Sequence, residues 1–401
     1  ITIIDKNRER ISQVSNIYDV MGIAGNGASY KILQEAGIDD ADLIIAVTGS
    51  DELNLLCCTI ATQVGNCAAI ARVRTPEYSQ EAKYLRDKLG LALIINPELE
   101  AAIEMAHILH LPSSLEVTNF AHGQAQLIKY EIPEGSILDG TKLMDLGTRH
   151  HANILIGAVE RDDEVTIPSG DFVLRKGDKL SFVGERRHTK EFFSHIGVNT
   201  HSVKNTLIIG GGKAAYYLAK QLISRGIKVK IIENSFERCE ELSILLPDAV
   251  IINGDGTEQA LLKEEGIETC QSFVPLTGID EENIMLTLYA KQVSNAKVIT
   301  KLNRITFTNV INSLDLGSVI SPKYITSEAI IAYVRAKKNS MNCNIETLYH
   351  MYDSRVEAIE FFVSENSNVT DIPLRDLKLK KHLLICFINR NGKIIIPTGN
   401  D

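Results

Sequence analysis

No stretch of this 401-residue sequence concentrates lysine and arginine, and the formal net charge is -9 with a pI near 5.7. Binding a phosphate backbone needs a basic surface, so the composition argues against a nucleic-acid partner. No apolar run approaches the roughly 18 residues needed to cross a bilayer, and no signal peptide is visible at the start. The seven cysteines form no C-x-x-C pair, and their odd number fits free thiols in a reducing compartment. Cys57 and Cys58 lie in an apolar stretch and read as packing. Catalytic signatures are missing as well: there is no G-x-S-x-G and no paired metal-ligand motif. Glu104, His107 and His110 give one helical E-x-x-H without partners, which reads as helix surface, and His150-His151 reads as a solvated turn.

What the chain has is repetition. The segment from Ile44 to Asn54, with Thr48-Gly49-Ser50-Asp51-Glu52 at its centre, returns between Ser272 and Asn283 as Thr277-Gly278-Ile279-Asp280-Glu281. Thr48 and Thr277 lie 277 − 48 = 229 positions apart. The same offset relates Gly25-Asn26-Gly27 to Gly254-Asp255-Gly256, Arg72 to Lys301, and Ile167-Pro168-Ser169-Gly170 to Ile396-Pro397-Thr398-Gly399. Two tandem copies of one unit follow, and each copy helps to read the other. Copy one opens at Ile1, where copy two is already at its second apolar run, with no glycine-rich turn before it. In a doubly wound sheet the strand before that turn is central, so about two dozen further residues are expected ahead of Ile1. Copy two likewise stops at Asp401, where copy one continues through Phe172 to Val183.

Short runs rich in Val, Ile and Leu alternate with longer helical patterns, the rhythm of parallel β-α-β units. Copy two predicts strands near 206–209, 228–232, 249–252, 272–276 and 297–301, with helices near 213–225, 235–246, 257–265 and 281–293. Ser235, Thr257 and Asp280 are its candidate N-caps. Copy one predicts strands near 1–4, 20–23, 42–47 and 68–73, with helices near 7–14, 28–36 and 51–64. A proline-led helix then follows each copy, from Pro97 to about His110 and from Pro322 to about Lys337. Short alternating strands separated by Pro-Glu-Gly, Arg-Asp-Asp and Lys-Gly-Asp turns come after the first of these. The fold class is α/β: two tandem Rossmann-like doubly wound parallel sheets, each followed by a small α/β domain. The expected domains are residues 1–116, 117–198, 206–347 and 348–401.

Gly210-Gly211-Gly212-Lys213-Ala214-Ala215 satisfies G-x-G-x-x-A between a strand and a helix. Gly210 allows the tight turn, Gly212 lets backbone approach a diphosphate, Ala215 permits close helix-on-sheet packing, and the helix N-terminus favours the anion. The motif alone is weak. Glu233, 233 − 212 = 21 residues after Gly212 and ending the next strand, strengthens it, because a carboxylate there can accept hydrogen bonds from ribose hydroxyls. The same acid disfavours a 2′-phosphate, so NAD or an adenosine nucleotide fits better than NADP. Asp5 holds the equivalent place in copy one. Asn26 and Asp255 follow the third strands, either as contacts to an adenine edge or as turn and cap residues. Thr48-Gly49 and Thr277-Gly278 end the fourth strands at the carboxyl edge, where ligands of such sheets bind. Arg72 and Lys301 end the fifth strands, positions for either a phosphate contact or an ordinary salt bridge.

Glycine turn, acid, Gly254-Asp255-Gly256-Thr257, the duplicated Thr-Gly-x-Asp-Glu-x-Asn segments, a proline-led crossover helix and a β-rich module together resemble the regulatory subunits of Trk-type potassium uptake systems, which carry tandem RCK units. The resemblance covers nearly the whole chain. It implies a non-enzymatic regulator in the cytoplasm, at the inner face of the membrane, that binds NAD(H) or ATP, ADP or AMP. Its implied partner is a membrane potassium transporter or channel subunit, reached as a homotetramer forming an eight-unit ring. The nucleotide positions it implies are Asp5, Thr48, Gly49 and Arg72 in copy one, and Gly210, Gly211, Gly212, Lys213, Ala214, Glu233, Thr277, Gly278 and Lys301 in copy two. Lys301 in place of an arginine, Ala215 in place of a third glycine and Pro275 inside the fourth strand depart from the family pattern. Two other readings stand beside it: an NAD-dependent dehydrogenase, for which the small modules offer no convincing proton donor, and a cyclic-dinucleotide sensor acting through those modules.

Overall fold

A computed structural model describes residues 1–111, 113–149, 153–198, 200–304, 311, 314–339, 344–352, 355–364, 367, 369–379 and 382–401. The chain divides into two compact units, residues 1–100 and 101–401. His150 and His151 lie outside the described residues.

In the first unit, β1 (Thr2–Asp5), α1 (Arg8–Ile17), β2 (Met21–Ala24), α2 (Tyr30–Glu35), β3 (Leu43–Ala46), α3 (Asp51–Val64), β4 (Ala68–Arg72), α4 (Pro76–Gln80), α5 (Ala82–Leu89) and β5 (Leu93–Ile95) alternate along the chain. Asn7 starts α1 by accepting from the N–H groups of Glu9 and Arg10, and Ser50 starts α3 by accepting from that of Leu53. Strands β1 and β2 pair in parallel, and β3, β4 and β5 form a second parallel sheet. Ala46, Ala69, Ala71 and Val73 from these strands meet Cys57 and Cys58 of α3 in one core. The two cysteines are therefore packing residues, and burial pushes the Cys58 thiol up to about 12. Helices α4 and α5 and strand β5 were not expected from the sequence. Helix α4 and strand β5 span only 5 and 3 residues, and α5 buries none of its residues, so none of the three carries a clear pattern.

Helix α6 (Pro97–His110) leads into the second unit. There β6 (Glu116–Phe120), β7 (Ala125–Glu131), α7 (Leu143–Arg149), β8 (Leu155–Arg161), β9 (Glu164–Thr166), β10 (Lys179–Glu185) and α8 (Arg186–His195) build a small module. Its sheet is antiparallel in the order β6-β7-β10-β8-β9. The Arg-Asp-Asp turn is a tight hairpin, with φ of +50° at Asp162 and +63° at Asp163, values that asparagine and aspartate tolerate best among residues with a Cβ. Phe182 of β10 packs edge-on against Phe192 and Phe193 of α8, and Tyr130 of β7 does the same to Phe193. Arg161 binds the buried Asp178 carboxylate through two parallel hydrogen bonds of 2.7 Å, which fixes the loop before β10.

The next module holds β11 (Asn205–Ile209), α9 (Lys213–Ile223), β12 (Lys228–Glu233), α10 (Phe236–Leu245), β13 (Val250–Asn253), α11 (Gln259–Glu264), β14 (Ser272–Pro275), α12 (Asp280–Val293), β15 (Lys297–Lys301), β16 (Ser318–Ile320) and α13 (Pro322–Asn339). All of its strands run parallel, in the order β13-β12-β11-β14-β15-β16. The order reverses between β11 and β14, so a crevice opens at their carboxyl ends. Leu207, Ile209, Phe273 and Val298 pack against Leu286 and Ala290 of α12. Strand β16, only three residues long, was not expected.

Pro275 does not break β14 but shortens one of its ladders. Leu276 N–H donates to Ile209 O of β11 at 2.7 Å, so the Pro275 nitrogen faces the other neighbour, β15, without a hydrogen. The β14–β15 register accordingly ends at Phe273 and Val298, whereas β3 and β4 stay paired to Ala46 and Ala71. Two expected caps are corrected. Glu258, not Thr257, is the N-cap of α11, because Thr257 is held back by Asp255; Ile279, not Asp280, is that of α12.

Strands β17 (Asn344–Met351), β18 (Val356–Phe362), β19 (Ile388–Arg390) and β20 (Lys393–Ile395) form two antiparallel pairs. The boundary expected between 347 and 348 falls inside β17, so it sits a few residues late. Met351, Tyr352 and Ile394 join Phe120, Leu127, Ala158 and Val183 in a common core, so the two small modules pack together. Tyr352 Oη lies 2.7 Å from Ser181 Oγ and donates to Lys179 O at 3.0 Å. Burial holds its phenol far above the usual range, as a neutral hydrogen-bonding group.

Replacing Phe193 with alanine removes a side chain of 0 % exposure from the aromatic cluster. The expected cost is about 3–5 kcal/mol in urea-monitored stability, with the nucleotide-type sheet unaffected.

Candidate nucleotide site

The glycine turn of the second copy sits where the strand order reverses. Gly210 has φ of +94°, a conformation that favours glycine, and a Cβ there would make a tight contact of 3.2 Å with the Leu276 carbonyl and the Thr277 nitrogen. A Cβ on Gly211 would meet Leu242 at 2.6 Å. Gly212, the N-cap of α9, behaves differently: it brings no side-chain cap, and a Cβ there would meet nothing within 4 Å. The start of α9 therefore faces open space with its dipole end forward, the geometry that receives an anion. Lys213 and Ala214 form the first turn, and Ala215, fully buried, seats the helix on the sheet.

Glu233 closes the other side of this turn. Its Oε2 accepts from Gly211 N–H at 2.6 Å and its Oε1 from Ser235 N–H at 2.7 Å, while Arg238 Nε donates to Gly211 O at 2.7 Å. The carboxylate is thus fixed beside the glycine turn at the end of β12, with lone pairs left for hydroxyl donors. In the first copy Asp5 plays the corresponding part: Asn7 N–H donates to its Oδ1 at 2.8 Å, and Gly25 N–H donates to its carbonyl at 2.9 Å, as Gly254 N–H does to Glu233 O at 3.0 Å. The match is 233 − 5 = 228, one short of the repeat offset, because copy two has one more residue between its α10 cap, Ser235, and Gly254.

The fourth strand ends are held by residues that motif reading did not single out. Asn54, with 0 % exposure, accepts from Thr48 N–H at 2.7 Å and donates to Arg72 O at 2.9 Å. Asn283, equally buried, accepts from Thr277 N–H at 3.0 Å and donates to Lys301 O at 3.0 Å. One amide thereby ties the fourth strand to the fifth at each carboxyl edge. Asp51 accepts from Arg74 and Thr75 N–H groups, and Asp280 from those of Asn303 and Arg304, which fixes the loops beyond the fifth strands. The signal was the repeat offset itself, which carries Asp and Asn from one copy to the other.

Arg72 and Lys301 use their cations within the edge. Arg72 Nη2 donates to Thr48 O at 2.6 Å and Lys301 Nζ to Leu276 O at 3.1 Å, so each bridges to the end of the fourth strand. Burial and then the nearby Arg74 lower the Arg72 pKa. Asp255 accepts from Thr257 N–H at 2.8 Å and from its hydroxyl at 2.7 Å, bonds that lower its pKa, and Asn26 Oδ1 accepts from Ala28 N–H at 3.2 Å. These bonds hold both residues in their turns. A Cβ on Gly25 or Gly254 would strike Ile32 or Leu261, the same residue of the following helix in each copy. Gly49 and Gly278 have open space before them, and Thr48 and Thr277 turn their hydroxyls back to Ser50 and Ile279.

Family models match three segments of the chain. The TrkA-N domain matches residues 1–97 and 206–322, and the TrkA-C domain residues 127–197. The Trk system potassium uptake protein TrkA homolog 1 of Methanosarcina mazei is 33% identical over 408 aligned positions, covering 100% of this chain and 89% of its own. The chain belongs to the TrkA family. A TrkA homolog of Archaeoglobus fulgidus is 32% identical over 100% of this chain and 88% of its own length. Among solved structures, the GsuK channel bound to NAD superposes with a TM-score of 0.64 at 19% identity, over 86% of this chain and 61% of the channel's, and the GsuK RCK domain with 0.65 at 18%, over 86% and 74%. At that identity the likeness is one of fold. Among the described residues, no group of three or more His, Cys, Asp or Glu side chains could hold a metal ion, and no helix is long and apolar enough to cross a membrane.

Within the TrkA fold, Asn283→Ala leaves two buried backbone groups without partners and is expected to lose about 2–4 kcal/mol. Asn54→Ala should behave alike, and equilibrium denaturation of both variants checks the equivalence of the two edges.

Proposed function

We propose that this chain is a nucleotide-sensing regulatory subunit of a potassium uptake system, acting without catalysis of its own. The observation that carries the reading is the start of α9: a side-chain-free N-cap facing open space, with the Glu233 carboxylate fixed beside it. A diphosphate suits the helix end and a ribose suits the acid, so NAD(H) or an adenosine nucleotide is the ligand class. Gly210, Gly211, Gly212, Lys213, Ala214, Glu233, Thr277 and Gly278 surround that position, and Asp5, Thr48 and Gly49 are their counterparts in the first copy. Arg72, Lys301 and Asp255 act indirectly, by shaping strand ends and turns. The family names of the relatives and the NAD named for the GsuK channel point the same way.

The partner is an integral membrane potassium transporter or channel subunit, with this chain in the cytoplasm on its inner face. Four copies, with two repeats each, would supply an eight-unit ring. A nucleotide regulates such an assembly only through unequal affinity for its two arrangements. The modules, with the second small one starting near Asn344, would divide this work between nucleotide binding and assembly.

Titration calorimetry with NADH and ADP tests the reading. Gly212→Asp places a carboxylate at the helix end and should abolish one equivalent of binding; Glu233→Ala should weaken it about 10-fold or more, the scale of losing charge-assisted hydrogen bonds to the ribose. Unchanged binding in both variants overturns the site.

A further inference from the structure

A second cluster of cations lies away from the glycine turn and has no role in the reading above. His107 and His110 of α6, Arg186, Thr189 and Lys190 of α8, and Gln126 of β7 line one pocket. The charged groups that lower the two imidazoles are Arg225 and Arg186 on His107, and Lys190, Arg186 and Arg225 on His110. Strands β6 and β7 face them with neutral amides, Asn119 and Gln126. Among the described residues no carboxylate pairs with Arg186, Lys190 or Arg225, in a chain whose net charge is -9. Arg186, Lys190 and Arg225 are exposed, so solvent screens their mutual repulsion, and together they make a positive patch that attracts anions.

A second observation is independent of charge. Thr189 is 1 % exposed, and its hydroxyl has no hydrogen-bond partner. A buried hydroxyl left unsatisfied costs about 1–3 kcal/mol, and lining the pocket places this one where a bound group could answer it. The amides are already oriented: Gln126 Nε2 donates to Asn119 Oδ1 at 3.2 Å, which turns Asn119 Nδ2 toward His107 Nδ1 at 3.3 Å. That His107 nitrogen is therefore an acceptor, and its ring is held neutral. Burial, then the cations, push His107 down to about 4 and lower His110 as well.

We propose that this pocket, formed by α6, α8 and β7 beside Arg225, is a binding site for a small oxyanion of the phosphate or sulfate type, separate from the nucleotide site. Arg186 and Lys190 supply the charge, Thr189 a hydroxyl donor, neutral His107 its remaining N–H, and His110 an N–H donor that strengthens as it protonates. An anion favours the charged His110 imidazole, so binding takes up a proton and tightens as pH falls toward the ordinary histidine range.

Titration of the full chain with sodium sulfate tests this, since sulfate keeps its charge across the pH range used. Gly212→Asp, in which the start of α9 no longer receives an anion, should keep one equivalent of sulfate binding, with affinity rising from about pH 8 to about pH 6 and proton uptake visible as a buffer-dependent heat. The paired substitution Arg186→Ala/Lys190→Ala, at exposed positions, should weaken binding at least about tenfold. Thr189→Val should weaken binding while raising thermal stability, because it removes an unsatisfied hydroxyl; a merely structural threonine would do the opposite. Inorganic phosphate should compete with sulfate, and sodium chloride at equal ionic strength should not. The absence of saturable sulfate binding, equal binding by the paired variant, or loss of binding in Gly212→Asp overturns the proposal.

Discussion

The amide at the carboxyl edge of each sheet is the constraint on which the rest of the site depends. Where a parallel strand ends, its last N–H and C=O groups lose the ladder, and here they meet a buried amide instead. Asn54 and Asn283 answer them with one acceptor and one donor apiece, bridging the fourth strand to the fifth. With these ends fixed, the Leu276–Thr277 backbone presents a firm wall, and the Gly210 turn lies close against it in a left-handed conformation that favours glycine. The direction of α9 then follows. The crevice is a consequence of satisfying backbone groups at a place where the sheet cannot do so itself.

The cations at the edge follow the same logic. Arg72 and Lys301 stand at corresponding positions, and both reach a carbonyl at the end of the neighbouring strand. A guanidinium and an ammonium serve equally where the acceptor is one carbonyl oxygen, because the planar fork of arginine matters only for bidentate partners. The change from arginine to lysine between the copies therefore does not mean that the two crevices differ in ligand. Pro275 is tolerated for a related reason: its missing hydrogen faces β15, where the amide of Asn283 and the Lys301 side chain already join the strands.

Much of the fold was legible because two copies constrain each other. An offset of 229 aligned Gly25 with Gly254, and both prove to abut the same position of the next helix. Cys57 and Cys58 were legible as core from their apolar setting. Less legible were α4, β5 and β16, which span five residues or fewer, α5, which buries none of its residues, and the start of β17. His107 and His110 read as helix surface, yet both line a partly enclosed pocket, because α8 and β7, distant in sequence, cover that face of α6.

The sequence by itself determined which residues are repeated, where parallel strands and helices alternate, and that a glycine turn is followed by an acid at the spacing of a ribose contact. These are local properties, set by periodicity, turn chemistry and duplication. Tertiary structure alone decided what those residues touch: that Asp255 holds Thr257, that Arg72 and Lys301 reach strand carbonyls, and that Gly212, unlike Gly210 and Gly211, faces open space. It also gathered Arg186, Lys190 and Arg225 around two histidines. The physical reason is that hydrogen bonds and charges act over a few ångströms, and only the packed chain brings residues far apart in sequence within that range.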